Sequence, residues 1–251
     1  MNRTSTDELD RLDEAFATNR LLSTFPAEAR ALIEPFGTVV QLNTGETVHA
    51  RGAYVRSTYF PIGPTMLSLV IDLSNDRSIE VATIGHEGAV GGIVSCGHAP
   101  AFGRAQVLVP GSALEVPMEA LEDAKMRSGL IRNLFCRYSD YLLAQVMQSV
   151  ACNSFHAIEQ RAARWLLTAQ DRAGSTIELT QEAFAALLGV QRTTVNAVIG
   201  TLQDEGLIAT RRGLIRVIDR AGLKQRACEC HDAVERHFAA VIGTSGSGSP
   251  A

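Results

Sequence analysis

The segment spanning residues 180–208 restricts the possible folds of this chain more than any other. It reads TQEAFAALLGVQRTTVNAVIGTLQDEGLI, in which two helical patterns flank Gly189. Thr180 is a suitable N-cap for a first helix over Gln181–Leu188, and the glycine after it suits the left-handed backbone that ends many helices. A second helix is predicted over 191–205, closed by the next glycine. Two short helices joined by a short turn form a helix-turn-helix.

The apolar residues of this segment have the sizes that such a motif needs. Ala185 is small where the second helix would cross the first. Larger side chains would fill the wedge between the helices, namely Phe184, Leu188, Val190, Val195 and Val198. An ordinary pair of antiparallel helices is the alternative, but it does not require all of these positions to carry the right class of residue at once.

The second helix then presents polar side chains outward from its N-terminal half, the half that enters the major groove in this motif. Arg192 matches the O6 and N7 acceptors of guanine, and Asn196 matches the N6 and N7 groups of adenine. Hydroxyl and amide side chains suit the phosphate contacts that orient a protein on DNA. We predict DNA contacts by Thr180, Gln181, Gln191, Arg192, Thr193, Thr194 and Asn196.

A basic hairpin is predicted after the two helices. In LIATRRGLIRVID, two β-prone runs flank Arg211, Arg212 and Gly213, which indicates a tight turn with two arginines at its tip. Such a hairpin is the wing of a winged helix-turn-helix, and we predict that Arg211 and Arg212 contact DNA phosphates.

Charge is unevenly distributed along the chain. The net charge is −4, yet residues 187–226 contain seven basic and three acidic side chains. Because salt screens charges beyond about 8–10 Å, the local excess is what a phosphate backbone would meet. The basic residues are Arg192, Arg211, Arg212, Arg216, Arg220, Lys224 and Arg226.

The N-terminal half is predicted to be mainly β-structure. After two expected helices at 7–17 and 26–34, short β-rich runs separated by Gly, Pro, Asn and Asp extend to about residue 117. This spacing is typical of an antiparallel barrel or sandwich of about eight strands. The predicted strands are 38–42, 57–60, 66–71, 79–83, 105–109 and 113–116.

From Met118 the apolar residues recur at helical spacing, which predicts a helix of about 20–25 residues, or roughly 30–37 Å. Its apolar stripe is broad enough to face both the N-terminal domain and a partner helix, so packing within the chain and a dimer seam are both open. The stripe comprises Ile131, Leu134, Phe135, Tyr138, Tyr141, Leu142, Gln145, Val146 and Ser149.

A further helix is predicted over 155–169, capped by Asn153 or Ser154, and the sequence ends in GTSGSGSPA, which is typical of a flexible tail. We divide the chain into an N-terminal domain (1–117), a long helix (118–152), a winged helix-turn-helix (153–227) and a C-terminal helix with its tail (228–251).

The order of these parts resembles the cyclic-AMP receptor protein / fumarate-nitrate reductase regulator (CRP/FNR) family of transcription factors. The supporting motifs, between about Asn19 and Arg226, are NRLLSTFPAEARALIEPF, the strand pair around TGETVHARG, STYFPIG, HAIEQRAARWLL and the helix-turn-helix. The resemblance implies an α+β fold with an N-terminal antiparallel β-roll like a cyclic-nucleotide-binding domain, a long dimerisation helix and a C-terminal winged helix-turn-helix.

The resemblance also implies partners, namely double-stranded DNA, a second copy of the chain and RNA polymerase. A homodimer held by the long helix would bind a palindromic site, because two-fold symmetry demands two half-sites about one helical turn apart. We therefore favour the dimer seam and assign it to Ile131, Leu134, Tyr138, Tyr141, Leu142 and Gln145.

Family positions carry over only in part. The family's frequent R-E-T-V-x-R becomes RTTVNA at 192–197, so the operator is expected to differ from the family's best-known consensus. Arg104 matches the arginine that cyclic-nucleotide binders use for the phosphate, but Ala105 replaces the hydroxyl residue beside it. Val90 stands near the expected ribose-binding Glu, with Glu87 three residues earlier. We name Arg104 and Glu87 as effector-binding candidates, expect no cyclic AMP binding and leave the effector unknown.

Cysteine positions argue against the family's cofactors, and we expect no cofactor. An iron–sulfur sensor of this family needs an N-terminal cysteine cluster, whereas the first cysteine here is Cys96. Cys96 and His98 resemble the Cys-x-His of a haem-binding branch but lie several residues too late.

The other cysteines are weighed as metal ligands or as core residues. Cys228 and Cys230, with His231 and His237, could hold a soft metal, but so few ligands on one predicted helix lead us to expect no metal. We interpret Cys136 and Cys152 as small apolar core residues.

Three functions are considered on this basis. A sequence-specific regulator is the first, and a small-molecule-binding signalling module whose effector controls the dimer is the second. An enzyme is not expected, because the glycines at 85, 88 and 91 lack the strand-then-helix context of a nucleotide loop. An acidic N-terminus without a secretion signal and the lack of a bilayer-length apolar run lead us to expect a cytoplasmic protein that does not bind membranes.

Overall fold

The computed structural model describes residues 3–74, 78–93 and 100–243. It begins with helix α1 (Arg3–Thr18), followed by α2 (Ala27–Arg30), which is shorter than the predicted 26–34. Between these helices the buried Asn19 side chain donates hydrogen bonds to the carbonyl oxygens of Pro61 and Gly88, at 3.0 and 2.9 Å. These bonds anchor the N-terminal helices to the β-domain.

Two antiparallel sheets form the β-domain. Their strands are β1 (Thr38–Leu42), β2 (Thr47–His49), β3 (Ser57–Pro61), β4 (Met66–Asp72), β5 (Ser78–Ile84), β6 (Arg104–Val109) and β7 (Gly111–Pro117). One sheet has the order β1-β7-β3 and the other β2-β6-β4-β5. Each of the six strands predicted from the short β-rich runs lies within an observed strand.

The long helical region consists of two helices rather than one. Helix α3 (Met118–Arg127) ends before Ser128, which has an extended backbone. Ser128 is the N-cap of α4 (Gly129–Phe155), and its Oγ accepts a hydrogen bond from the Ile131 amide at 3.3 Å. Helix α4 is about 40 Å long at about 1.5 Å per residue. It continues through positions 153 and 154, so the predicted cap at Asn153 or Ser154 is wrong.

The face of α4 that we assigned to a dimer seam is buried inside the chain. None of its six residues is more than 9% exposed, and they pack against the β-domain and the C-terminal helix; they are Ile131, Leu134, Tyr138, Tyr141, Leu142 and Gln145. For example, Tyr138 Oη donates to the Ala89 carbonyl at 3.1 Å, and Gln145 Oε1 accepts from the Thr83 amide at 2.9 Å. The residue assignment of the seam is therefore wrong.

The C-terminal region is helical with one small sheet. Its elements are α5 (Ile158–Ala173), β8 (Thr176–Glu178), α6 (Gln181–Leu188), α7 (Arg192–Asp204), β9 (Ile208–Arg211), β10 (Leu214–Val217), α8 (Arg220–Arg226) and α9 (Cys230–Val241). The sheet order is β8-β10-β9. Helix α5 starts after the Ala157 cap rather than at the predicted Phe155, and β8, which is three residues long, was not predicted.

The N- and C-terminal halves are in contact. Trp165 Nε1 on α5 donates to Glu80 Oε1 on β5 at 2.8 Å, and α9 packs along α4, where the Tyr141 and Phe238 rings are 4.9 Å apart. None of the helices in the described residues has the length and hydrophobicity needed to cross a membrane.

Candidate DNA-binding surface and neighbouring sites

Helices α6 and α7 form the predicted helix-turn-helix. Thr180 Oγ1 accepts a hydrogen bond from the Ala183 amide at 3.1 Å, which caps α6, and Gly189 takes the left-handed backbone with φ of 67°. Phe184, Ala185, Leu188, Val195 and Val198 are buried in one core, with Val190 partly buried against it. The local sequence forms this unit because each position satisfies either a cap, a turn or the wedge between the helices.

The N-terminal half of α7 presents its polar residues to solvent. Arg192, Thr193 and Asn196 are exposed, Gln191 at the N-cap position is exposed too, and Thr194 is partly buried. This is the outward set that the spacing of buried valines predicts.

The wing is a tight hairpin between β9 and β10. Arg212 and Gly213 both have positive φ, 38° and 80°, and the exposed arginines Arg211 and Arg212 lie at the tip. The Leu179 amide donates to the Gly213 carbonyl at 2.8 Å, which holds the wing against the start of α6.

A cleft of about 340 Å³ joins these parts. Thr180 and Gln181 from α6, Arg192 from α7 and Arg212 from the wing all line it. The N-terminus of α6 adds its free amide groups and the positive end of its dipole, which favour an anion. Glu182 lines the cleft as well, so its charged groups are two arginines, one carboxylate and the helix N-terminus, a net positive set that suits a phosphate.

Internal ion pairs reduce the basic patch counted from the sequence. Arg220 pairs with Asp171 at 2.6 Å, Lys224 pairs with Asp232 at 3.0 Å, and Arg226 pairs with Glu205. The arginines at 192, 211, 212 and 216 have no acidic partner within ion-pair distance among the described residues. The unpaired positive charge is thus concentrated on the recognition helix and the wing.

A second cavity, of about 490 Å³, lies in the β-domain beside α4. Its described lining is apolar apart from His49, which is neutral there because burial lowers its pKa. The lining includes Leu69, Ile84, Ala105, Leu142 and Val146. No Lys, Arg, Asp or Glu lines it in the part of the chain that the structure describes.

Neither effector candidate faces this cavity. Arg104 points from the opposite face of its strand and pairs with Asp72 at 2.9 Å, while Ala105 faces the cavity. Glu87 is buried in ion-pair contact with Arg172 on α5, 2.7 Å away, and also accepts a hydrogen bond from the Gly85 amide at 3.0 Å. Both side chains make intramolecular pairs instead, so neither is placed to contact a molecule in this cavity, and their role in effector binding stays a prediction.

Four metal-ligating side chains converge where α4 meets α5. The donor atoms of Cys152, His156, Cys228 and Cys230 all lie within 4.8 Å of one another. Of these four residues, the sequence analysis named only Cys228 and Cys230 as candidate metal ligands. The missed signal was Cys152-x-x-x-His156, since residues four apart on a helix share a face.

The remaining predicted donors lie elsewhere. His231 is held by Asp171 at 2.8 Å and Asp232 at 3.1 Å, and His237 contacts Asp140 at 2.9 Å. Cys136 is exposed, so its assignment to the core is wrong, whereas that of Cys152 is confirmed. Cys96 and His98, the haem candidates, lie outside the described residues.

Comparisons with known proteins agree with this architecture. Residues 160–226 match the family of the Crp-like helix-turn-helix domain. FixK2 from Bradyrhizobium japonicum is 16% identical, with 76% of this chain and 98% of that chain covered at a TM-score of 0.64. A CRP-family transcriptional regulator from Thermus thermophilus is 19% identical, with 75% and 96% covered at 0.63.

A further similar structure is the c-di-GMP-responsive global regulator CLP of Xanthomonas campestris, 16% identical, with 77% and 100% covered at a TM-score of 0.61. No match was found among curated proteins. The family match confirms the predicted Crp-like helix-turn-helix at residues 160–226, and the similar structures, which cover 75–77% of the chain, confirm the predicted fold class.

Proposed function

We propose that this chain, whose C-terminal domain belongs to the Crp-like helix-turn-helix family and whose fold is that of CRP/FNR transcription regulators, binds a palindromic operator as a homodimer. The cleft shared by α6, α7 and the wing carries the proposal, because it places unpaired arginines beside the exposed start of α7. Arg192 and Asn196 would read bases, and Thr180, Gln181, Gln191, Thr193, Thr194, Arg211 and Arg212 would contact the backbone or neighbouring base edges.

The outward face of α4 supports the homodimer. Cys136, Leu143 and Val150 recur every seven residues on the side opposite the buried face, and Met147 lies between the last two. Leu143, Met147 and Val150 are 57%, 63% and 63% exposed. An apolar heptad stripe of this kind is the pattern that pairs helices in coiled coils. We place the seam on this face, in place of the six residues predicted from the sequence.

Replacing Arg192 with alanine is expected to weaken operator binding by about 1–3 kcal/mol and to relax specificity at one base position per half-site. The reason is the loss of a bidentate hydrogen-bonded contact with guanine, which adds affinity and also discriminates among bases. Selection of operators from random DNA, followed by titration of the selected duplex, measures both effects.

Arg127→Ala is the matched control, since it removes the same charge from an exposed site on α3, paired with Asp123 at 3.0 Å. It should leave the selected sequence unchanged. If Arg192→Ala and wild type select the same operator with equal stringency, Arg192 does not read a base.

The apolar cavity favours effector control of DNA binding as a second function. Its volume suits a small molecule, and its described lining offers apolar contacts with one neutral imidazole. A cyclic phosphate would lose its hydration there without a cation to replace it. We infer an uncharged, largely apolar effector. RNA polymerase as a partner stays an expectation from the family resemblance.

Cyclic AMP is accordingly expected to leave the Tm of the protein unchanged. A specific ligand at about a hundredfold above its Kd would raise the free energy of unfolding by about 2.7 kcal/mol, which thermal unfolding detects readily. Adenosine and inorganic phosphate at equal ionic strength are the controls. A Tm that climbs with cyclic AMP but not with either control would contradict the inferred effector class.

A further inference from the structure

We propose that Cys152, His156, Cys228 and Cys230 bind a single tetrahedral zinc ion that ties the end of α4 to the C-terminal segment. The proposal departs from the expectation of no metal drawn from the sequence. It is independent of the DNA-binding function, because none of these residues lines the DNA-facing cleft.

Two of the distances between donor atoms match those around one zinc ion, and all four donors lie within 4.8 Å of one another. In a tetrahedral zinc site, bonds of about 2.3 Å to sulfur and 2.0–2.1 Å to nitrogen place two sulfurs about 3.8 Å apart and a sulfur and a nitrogen about 3.6 Å apart. Here Cys152 Sγ is 3.6 Å from Cys228 Sγ, and Cys230 Sγ is 3.4 Å from His156 Nδ1. Three cysteines and one histidine are a common set for structural zinc.

The surroundings of the donors are also those of a metal site. His156 turns Nδ1 toward Cys230, and its other nitrogen, Nε2, lies 3.3 Å from Glu229 Oε1. Histidine ligands of zinc are commonly oriented by a carboxylate that accepts a hydrogen bond from the ring nitrogen not bound to the metal. Gln148 Nε2 donates to Cys230 Sγ at 3.0 Å, which would stabilise a thiolate.

The charge balance supports bound thiolates as well. Zinc with three thiolates and a neutral imidazole carries one net negative charge, and binding would release the three thiol protons to solvent. Arg161 and Arg164 interact electrostatically with Cys152 from α5. Each has a buried Nε atom with no hydrogen-bond partner among the described residues. A negatively charged zinc complex at this position would balance the positive charges of Arg161 and Arg164.

The position of the cluster indicates what the metal would do. Cys152 is in the last turn of α4, and His156 is its C-cap, while Cys228 and Cys230 flank the start of α9. Zinc would therefore tie the end of α4 to the short segment between α8 and α9. The role is structural, because all four protein ligands fill the coordination sphere.

Metal content of the full-length protein, purified without chelators, tests the proposal. We expect one zinc per chain by mass spectrometry of the metals. Exchange with Co²⁺ should produce the visible bands of a tetrahedral ion and a thiolate-to-cobalt charge-transfer band. Cys228→Ser should reduce bound zinc about tenfold or more, and Glu229→Gln should weaken zinc affinity about 10–100-fold through the histidine.

His237→Gln is the matched control, because His237 is a metal-capable side chain outside the cluster, paired with Asp140 at 2.9 Å, and its loss should leave the metal content unchanged. Should Cys228→Ser fail to fold, the cobalt spectrum of the wild type and the Glu229→Gln variant still decide the question. The proposal is overturned by wild-type protein without zinc and without a charge-transfer band, by zinc retained in Cys228→Ser, or by a Cys152–Cys228 disulfide in metal-free protein.

Discussion

Replacing Glu87 with alanine is expected to lower the free energy of unfolding by about 3–5 kcal/mol, since it leaves the buried Arg172 guanidinium without its counter-charge. Arg172 is 4% exposed and Glu87 5%, and their closest atoms are 2.7 Å apart. Burial opposes the charged form of Arg172, but Glu87 together with Tyr141, Glu235 and Tyr138 outweighs it, and the pKa of Arg172 is raised. Because arginine stays charged in proteins even when it is buried, removing Glu87 leaves a positive charge in the core.

Chemical denaturation of the purified variant measures the loss. Asp123→Ala is the matched control, because it breaks the exposed Arg127 pair, and such pairs contribute about 0–1 kcal/mol. Arg172 Nη2 and Glu87 Oε1 are close enough to form an ion pair, but their geometry is not that of a hydrogen bond. Arg172 Nη1 has no hydrogen-bond partner among the described atoms.

An imperfectly satisfied pair should be replaceable by apolar residues. We expect the double variant Glu87→Met/Arg172→Met to recover most of the stability lost in Glu87→Ala, because desolvation of both charges is then avoided. A Glu87→Ala loss no larger than that of Asp123→Ala would show that the pair is not buried as described. Because Arg172 lies on α5 and Glu87 in the β-domain, the same pair links the two halves of the chain.

The double variant Leu143→Asp/Met147→Asp is expected to convert the proposed dimer to a monomer. Two carboxylates per chain would be buried without partners in the seam, at a cost of several kcal/mol each. Operator binding should fall with the loss of the second half-site, since affinity for a palindrome depends on both chains engaging together. Light scattering coupled to size-exclusion chromatography measures the mass.

Tyr54→Asp is the control for this variant, because Tyr54 is 67% exposed and belongs to the β-domain rather than to the α4 stripe. Leu134→Asp, which the sequence would have selected as the dimer-breaking change, should instead unfold the protein, since Leu134 is 1% exposed. A dimer that survives in Leu143→Asp/Met147→Asp, with circular dichroism of a folded protein, would rule out this face as the seam.

Much of the DNA-binding region could be predicted from the sequence. Helix α6 was predicted at its observed bounds, together with its Thr180 cap and the left-handed Gly189. The wing turn at Arg212 and Gly213 was predicted as well. These features depend on contacts between residues close in the chain, so the local pattern contains the information. Their contacts with DNA remain predictions.

The long helix shows where local pattern is insufficient. A helical stripe reveals that a face is apolar, but it does not reveal whether that face meets the chain's own β-domain or a second chain. In α4 the aromatic residues Tyr138 and Tyr141 turn inward, while Leu143 and Met147 turn outward. Only the packing of the β-domain and α9 distinguishes the two faces.

By itself the sequence determined some local units of this protein, namely the capped helix α6, the wing turn and six strands of the β-domain in their order along the chain. The tertiary structure alone decided which distant residues meet. It places Cys152 next to Cys228 and Glu87 next to Arg172. It also directs Arg104 away from the cavity that Ala105 faces. The physical reason is that caps and turns are stabilised by neighbours in the chain, whereas ion pairs and metal ligands form wherever the packed core brings their atoms together.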